Sequence, residues 1–150
     1  MIYTYIEVRV PARFKHCWPT APDHRKYLRA PHPHTFMFRL EIQVFEADRE
    51  IEFHDVIGWL GDIIRLNFHL FENASCETMA KKVLKWVQTK YGLHRMYDIE
   101  VWEDDTCGGK VKYIPDKLLM LDMDKITNVE QPAKKDLETA RHGEKIRVMP

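Results

Sequence analysis

Residues 31–45 constrain the fold most strongly, because their side chains alternate between apolar and polar character. The even-numbered positions carry two histidines and then only apolar residues: His32, His34, Phe36, Phe38, Leu40, Ile42 and Val44. The odd-numbered positions include the polar residues Thr35, Arg39, Glu41 and Gln43. Successive side chains of a strand point to opposite faces, so this period of two predicts a half-buried β-strand.

His32 and His34 share the apolar face of this predicted strand, at the end where it begins. Two imidazoles side by side on a rigid strand form two-thirds of a three-histidine catalytic zinc site. The His-x-His pattern is short, and it also fits histidines packed as core groups. A metal site therefore requires a third histidine elsewhere in the chain.

An earlier strand supplies a candidate for that third histidine. Alternation predicts a strand at the start of the chain, with one face formed by Ile2, Thr4, Ile6, Val8 and Val10. If the extended path continues past Pro11, with or without a bulge, Phe14 and His16 keep the same phase. His16 then points inward as well.

Composition is that of one ordinary globular domain, with 150 residues, 45% of them hydrophobic. Lys plus Arg and Asp plus Glu are 23 each, so no overall field attracts nucleic acid or anionic lipid. Three cysteines without a paired spacing favour a reducing compartment. No apolar run approaches the roughly 18 residues of a membrane span. We expect a cytoplasmic protein that binds neither nucleic acid nor membrane.

The remaining elements follow from turn and capping signals. Residues 17–31 are predicted to form a loop that contains the cationic residues His24, Arg25, Lys26 and Arg29. This loop either lies over a site or is a solvated connection between two strands. A hairpin turn at residues 46–49 is predicted to lead into a short strand at 50–53, and Asp55 to start a first helix that ends near residues 66–68. Ser75 and Gly92 bound a second helix.

Two more strands are predicted after that helix. The first covers residues 97–103, and a turn at Cys107-Gly108-Gly109 leads to the second, around Val111-Lys112-Tyr113. Glu103 has the phase of the apolar face, so it either bends out to water or is held by strong donors. Residues 114–150 contain no aromatic residue, which predicts a partly ordered C-terminal extension.

Six short motifs occur in a suggestive order: Phe14-Lys15-His16, His32-Pro33-His34-Thr35-Phe36, Glu52-Phe53, Phe68-His69, Ala74-Ser75-Cys76-Glu77 and Glu103-Asp104-Asp105-Thr106. With the element order they resemble the 6-pyruvoyltetrahydropterin synthase family, which includes the 6-carboxytetrahydropterin synthases of the queuosine and 7-deazapurine pathway. The resemblance covers residues 3–113, leaving 114–150 as an extension. It implies an α+β tunnelling fold (ββααββ), in which a four-stranded antiparallel sheet carries two helices on one face. The sheets of several subunits then form an oligomeric barrel, a trimer or hexamer with sites at its interfaces.

The same resemblance implies a site and an activity. Zn²⁺ is expected on His16, His32 and His34, and the pterin substrate on Glu103 and Thr106. Arg25 and Arg29 are candidates to meet its phosphates, by charge alone. The implied reaction eliminates triphosphate from 7,8-dihydroneopterin triphosphate, with His69 as a catalytic residue.

Two members of the family's proton relay are replaced here. Leu28 stands where the family has its proton-transfer cysteine, and Phe68 where it has the aspartate that orients His69. Cys17, beside His16, is a candidate replacement base, and Cys76 in the first turn of a helix has a favourable place for a thiolate. Either cysteine also fits a small structural residue. The alternatives to an enzyme are a protein that binds a pterin or purine-like ligand without turnover, and a structural oligomer.

Overall fold

The computed structural model describes residues 2–116, and the predicted extension lies outside the described residues from position 117 onward. Its regular elements are β1 (Thr4–His16), a 3-10 helix (Asp23–Leu28), β2 (His32–Val44), α1 (Phe53–Leu66), a 3-10 turn (Phe68–Leu70), α2 (Cys76–Tyr91), β3 (Tyr97–Glu103) and β4 (Cys107–Tyr113). The four strands form one antiparallel sheet in the order β1-β2-β3-β4. The predicted α+β class, with a four-stranded antiparallel sheet and two α-helices, is confirmed.

Strands β1 and β2 form a long hairpin whose register positions the histidines. Pairing runs unbroken from Thr4 opposite Val44 to His16 opposite His32, without a bulge. Pro11 fits within β1 because β1 pairs only with β2, and an edge strand tolerates a residue that lacks an N–H group. His34 lies opposite Phe14, so all three histidines meet at one end of the hairpin.

Both helices pack on the sheet face that the alternation predicted to be apolar. One core cluster joins the even-numbered residues of β1 and β2 to the inner faces of α1 and α2. Phe36, Phe38, Leu40 and Ile42 are completely buried, and each contributes about 1.5–3 kcal/mol by leaving water. The histidines thus extend from a rigid, well-packed strand. Among the described residues, no helix has the length and apolar character needed to cross a membrane.

The start of α1 differs from the prediction. Residues 50–53 do not form a strand, and the helix begins at Phe53. The capping residue is Glu52 rather than Asp55, and its carboxylate accepts the His54 N–H at 3.3 Å. Glu50 instead closes the preceding turn, because its carboxylate accepts the backbone N–H of Phe45 at 2.6 Å. A local pattern cannot reveal this competing use of a side chain.

The last turn is also earlier than predicted. It occupies residues 104–106, where Asp104 and Asp105 have left-handed φ values of 48° and 55°. Gly108 and Gly109 belong to β4, and a Cβ on Gly109 would lie 2.5 Å from the backbone nitrogen of Glu77. Gly109 is therefore needed for close packing of β4 under the first turn of α2, and Gly108 for its close approach to Val101 and Trp102 of β3, rather than for a turn.

Candidate metal centre

Three imidazole rings converge at the end of the β1–β2 hairpin. The ring centroids are 5.1 Å apart for His16 and His32, 5.0 Å for His16 and His34, and 4.8 Å for His32 and His34. One ligand nitrogen from each histidine lies within 4.8 Å of the others. Phe36 stacks on Phe14 behind them at 4.4 Å. The rings are therefore close enough to share one ion after small rotations.

Hydrogen bonds assign the proton of two of these rings. His32 Nδ1 lies 2.7 Å from the carbonyl oxygen of Ala30, and His34 Nδ1 lies 2.5 Å from Oδ2 of Asp104. Both partners accept, so each Nδ1 carries the hydrogen and each Nε2 keeps its lone pair. Both Nε2 atoms are buried without a hydrogen-bond partner. Buried polar atoms normally have partners, so these two nitrogens indicate a ligand that they could bind.

Glu103, at the end of β3, brings a carboxylate to the same centre. Its Oε1 lies 3.3 Å from His34 Nε2, and its Oε2 lies 3.4 Å from His16 Nε2. The side chain is 23% exposed. Both carboxylate oxygens of Glu103 therefore point to the histidine rings rather than out to water.

The ionisation of the surrounding groups suits a metal. Burial lowers the pKa of His16, partly opposed by the charge of Glu103, so this imidazole favours its neutral form, the one that binds metals. Hydrogen bonds from the His34 ring and from the Thr35 N–H lower the pKa of Asp104. The centre therefore combines a His16 ring that favours its neutral form with a charged outer carboxylate on Asp104.

A cavity of about 530 Å³ adjoins the centre. Its wall includes His16, His32 and Glu103 from the sheet, together with Cys17, Trp18, Leu28, Asn73, Ala74, Ser75, Cys76, Glu77, Cys107 and Gly108. This size lies within the usual range for small-molecule sites. A ligand in the cavity would contact both the histidines and the first turn of α2.

Two more predicted site residues lie in or next to this region. Cys17 lines the cavity, and its thiol donates to Oδ1 of Asn73 at 3.0 Å. Thr106 lies in the turn that follows Glu103, where its hydroxyl donates to the Glu103 carbonyl at 3.1 Å. Leu28, at the position of the family's cysteine, also forms part of the cavity wall.

The other three predicted site residues are not part of the cavity wall. The guanidinium of Arg29 donates to Ala21 O at 2.7 Å and to Asp23 at 2.9 Å, which braces the 3-10 helix. Arg25 donates to the Tyr27 hydroxyl at 3.1 Å. His69 is exposed on the 3-10 turn after α1. Their roles in phosphate binding and catalysis stay predictions.

The structure favours one of two interpretations of Cys76 and adds one residue to the site. For Cys76, of the two interpretations left open, burial favours the small structural residue over the thiolate: it raises the pKa of Cys76 to about 11, because lost solvation outweighs the helix N-terminus. Asp104 was not predicted, although it directly follows the candidate Glu103. The only signal in the sequence was that a second acidic residue follows Glu103 at the end of the strand. Whether the Asp104 side chain reaches His34 depends on the left-handed turn.

No family model matches this sequence, and no curated protein matches it either. The function must therefore be inferred from the chemistry of the centre and from the motifs that surround it. Both concern the same residues at one end of the sheet.

Proposed function

We propose that this protein is a zinc-dependent lyase that acts on 7,8-dihydroneopterin triphosphate, in the manner of a 6-carboxytetrahydropterin synthase. The observation that carries the proposal is the convergence of His16, His32 and His34, with unpartnered Nε2 atoms on His32 and His34, beside a cavity of about 530 Å³. Three neutral imidazoles are typical of catalytic zinc and leave a position for substrate. When bound, zinc would polarise a substrate hydroxyl and acidify the neighbouring C–H bond.

Glu103 would orient the substrate. A carboxylate can accept two parallel N–H bonds from the 2-amino and N3 edge of a pterin. Both Glu103 oxygens face the histidines, at 3.3 and 3.4 Å. A heterocycle held by this carboxylate would therefore lie beside the metal, and Glu103 would also be close enough to accept a proton there. Cys17, on the cavity wall, remains the candidate for the missing base once its thiol releases its proton.

The proposal includes a homo-oligomer built on the tunnelling fold. In the described part of the chain, β1 and β4 are the two edges of the sheet, and each pairs on one side only. Edge strands expose backbone groups that pair readily with another chain. Pairing β1 of one copy with β4 of another would close several sheets into a barrel, a trimer or hexamer in the cytoplasm. His69, Arg25 and Arg29 would then serve a neighbouring subunit's cavity.

Metal analysis combined with an activity assay tests the lyase. Purified protein should hold one zinc per chain, and His34→Ala should lose most of it. Protein supplied with 7,8-dihydroneopterin triphosphate should release triphosphate, and Glu103→Gln should slow this release about 10²–10⁴-fold if the carboxylate moves a proton. Zinc-loaded protein that forms neither triphosphate nor a pterin product, with aldehyde acceptors and reductants supplied, would refute the lyase.

A second candidate is a protein that binds a pterin or purine-like ligand without turnover. Leu28 favours it, because an inert side chain lines the cavity where the family has its proton-transfer cysteine. Calorimetry separates the two: tight pterin binding that disappears in Glu103→Ala, together with no turnover, identifies the binder. Equal zinc content in wild type and His34→Ala would instead indicate a structural oligomer with packed histidines.

A further inference from the structure

We propose that Asp104 is a positioning residue that keeps the proton of His34 on Nδ1, so that Nε2 is available to a metal. This inference rests on the proposed function only in assuming that the histidines bind a metal. It concerns a residue outside the three ligands and the substrate-binding set. Its carboxylate contacts the side of the His34 ring that faces away from the centre.

Three contacts tie Asp104 to the strand that carries His34. Its Oδ2 lies 2.5 Å from His34 Nδ1, and its Oδ1 accepts the Thr35 N–H at 2.9 Å. Its own backbone N–H donates to the Thr35 carbonyl at 2.9 Å. Each carboxylate oxygen therefore has one defined donor, and the side chain has little freedom to turn away.

The backbone of the β3–β4 turn gives Asp104 this position. Asp104 and Asp105 both have left-handed φ values, 48° and 55°, a conformation that Asp tolerates better than most residues. The turn is closed by the Thr106 N–H, which donates to the Glu103 carbonyl at 3.0 Å. Consecutive residues thus reach opposite sides of one ring, with Glu103 at Nε2 and Asp104 at Nδ1.

The position of the His34 ring between two carboxylates explains why the centre needs Asp104. A neutral imidazole has one proton, and each of its nitrogens faces a carboxylate that can accept it. If the proton moved to Nε2, it would be donated to Glu103 Oε1, 3.3 Å away, and the lone pair needed by a metal would be lost. Asp104 has the shorter contact, and it holds the proton on the outer nitrogen. His32 has a comparable partner in the Ala30 carbonyl.

Asp104→Asn tests this directly, because Asn keeps the size of the side chain and also tolerates a left-handed backbone. The amide oxygen can still accept the Thr35 N–H, which turns the NH₂ group towards His34 Nδ1. An NH₂ group donates, so it should favour the tautomer with the proton on Nε2. Asp105→Asn is the matched control, since Asp105 is an exposed neighbour with the same left-handed backbone.

Two measurements on the full chain decide the proposal. Nitrogen-15 NMR of the metal-free protein, at a pH where His34 is neutral, should show the proton on Nδ1 in wild type and Asp105→Asn, and on Nε2 in Asp104→Asn. Competition with a chromophoric chelator should show zinc affinity about 10- to 100-fold weaker in Asp104→Asn alone. Urea unfolding curves of wild type, Asp104→Asn and Asp105→Asn should share the same folded-state baseline, which establishes that all three proteins are folded.

The outcomes separate this inference from the proposed function. An unchanged His34 tautomer in Asp104→Asn, or zinc affinity within twofold of wild type, would overturn the role of Asp104 even if the protein is a lyase. A wild-type protein that binds zinc tightly but turns over no pterin would refute the lyase and leave the role of Asp104 supported. Wild type that binds no zinc would refute the metal function, and a proton on Nε2 in wild type would overturn the inference by itself.

Discussion

Replacing Gly109 with Ala should destabilise the protein because β4 lies directly against the start of α2. An added Cβ would lie 2.5 Å from the backbone nitrogen of Glu77, 2.7 Å from its Cγ and 2.9 Å from the carbonyl carbon of Cys76. Two of these three atoms are backbone, so rotating one side chain does not relieve the overlap. Overpacking of this kind costs about 1–3 kcal/mol. We expect a loss of unfolding free energy at the upper end of that range.

Gly58→Ala is the matched control, because it adds the same methyl group where there is space. Gly58 lies within α1 and has no atom within 4 Å of an added Cβ, so Ala should stabilise the helix by about 0.5–1 kcal/mol. Urea unfolding followed by circular dichroism measures both changes. The close packing of β4 on α2 would be refuted if Gly109→Ala were as stable as wild type within about 0.5 kcal/mol.

Four further predictions concern the core, the ionised groups and the metal. Phe36→Ala removes a fully buried ring beside the histidines, so it should cost about 3–5 kcal/mol in urea unfolding. Hydrogen bonds to Glu100, of which the one from the Trp102 indole has the largest effect, lower its pKa from 4.5 to about 2. The pKa of Glu100 is therefore lower in the folded protein than in the unfolded chain. Its stabilisation is therefore complete above pH 4.5 and is lost as the pH falls towards 2; Glu100→Gln should lose less stability across that window, measured at a series of pH values. If the centre binds zinc as proposed, a chelator should lower the melting temperature. The loss of stability should be about 2.7 kcal/mol when the free zinc concentration had been 100 times Kd. Because burial raises the pKa of Cys76 to about 11, iodoacetamide at pH 8 should label the exposed Cys107 first, as mass spectrometry of timed samples would show.

Much of the fold could be predicted because its signals are local. Alternation in residues 4–16 and 32–44 identified both long strands and the face on which the histidines lie. Ser75 and Gly92 correctly marked the ends of α2, where the Ser75 hydroxyl accepts the Thr78 N–H at 3.3 Å. Helix capping and strand alternation involve residues only a few positions apart, so both can be predicted from the sequence.

The errors arose where a distant partner changes the use of a residue. Glu50 was assigned to a strand, but its carboxylate bonds Arg95 at 2.8 Å, and Arg95 lies far along the chain. Gly108 and Gly109 were interpreted as a turn, but Gly108 makes room for β3 and Gly109 for α2. The position of Cys76 in the first turn of a helix suits a thiolate, but its burial, which the sequence does not show, raises its pKa instead.

The sequence by itself determined that three histidines and Glu103 project from the apolar sides of strands, since a period of two needs no knowledge of neighbouring strands. Only the tertiary structure decided how they meet. Pairing of His16 with His32, and of Phe36 with Glu103, brings residues from three strands to one end of the sheet. The left-handed turn then places Asp104 on the far side of His34. Strand register and turn geometry depend on the packing of the whole sheet, which no short stretch of sequence encodes.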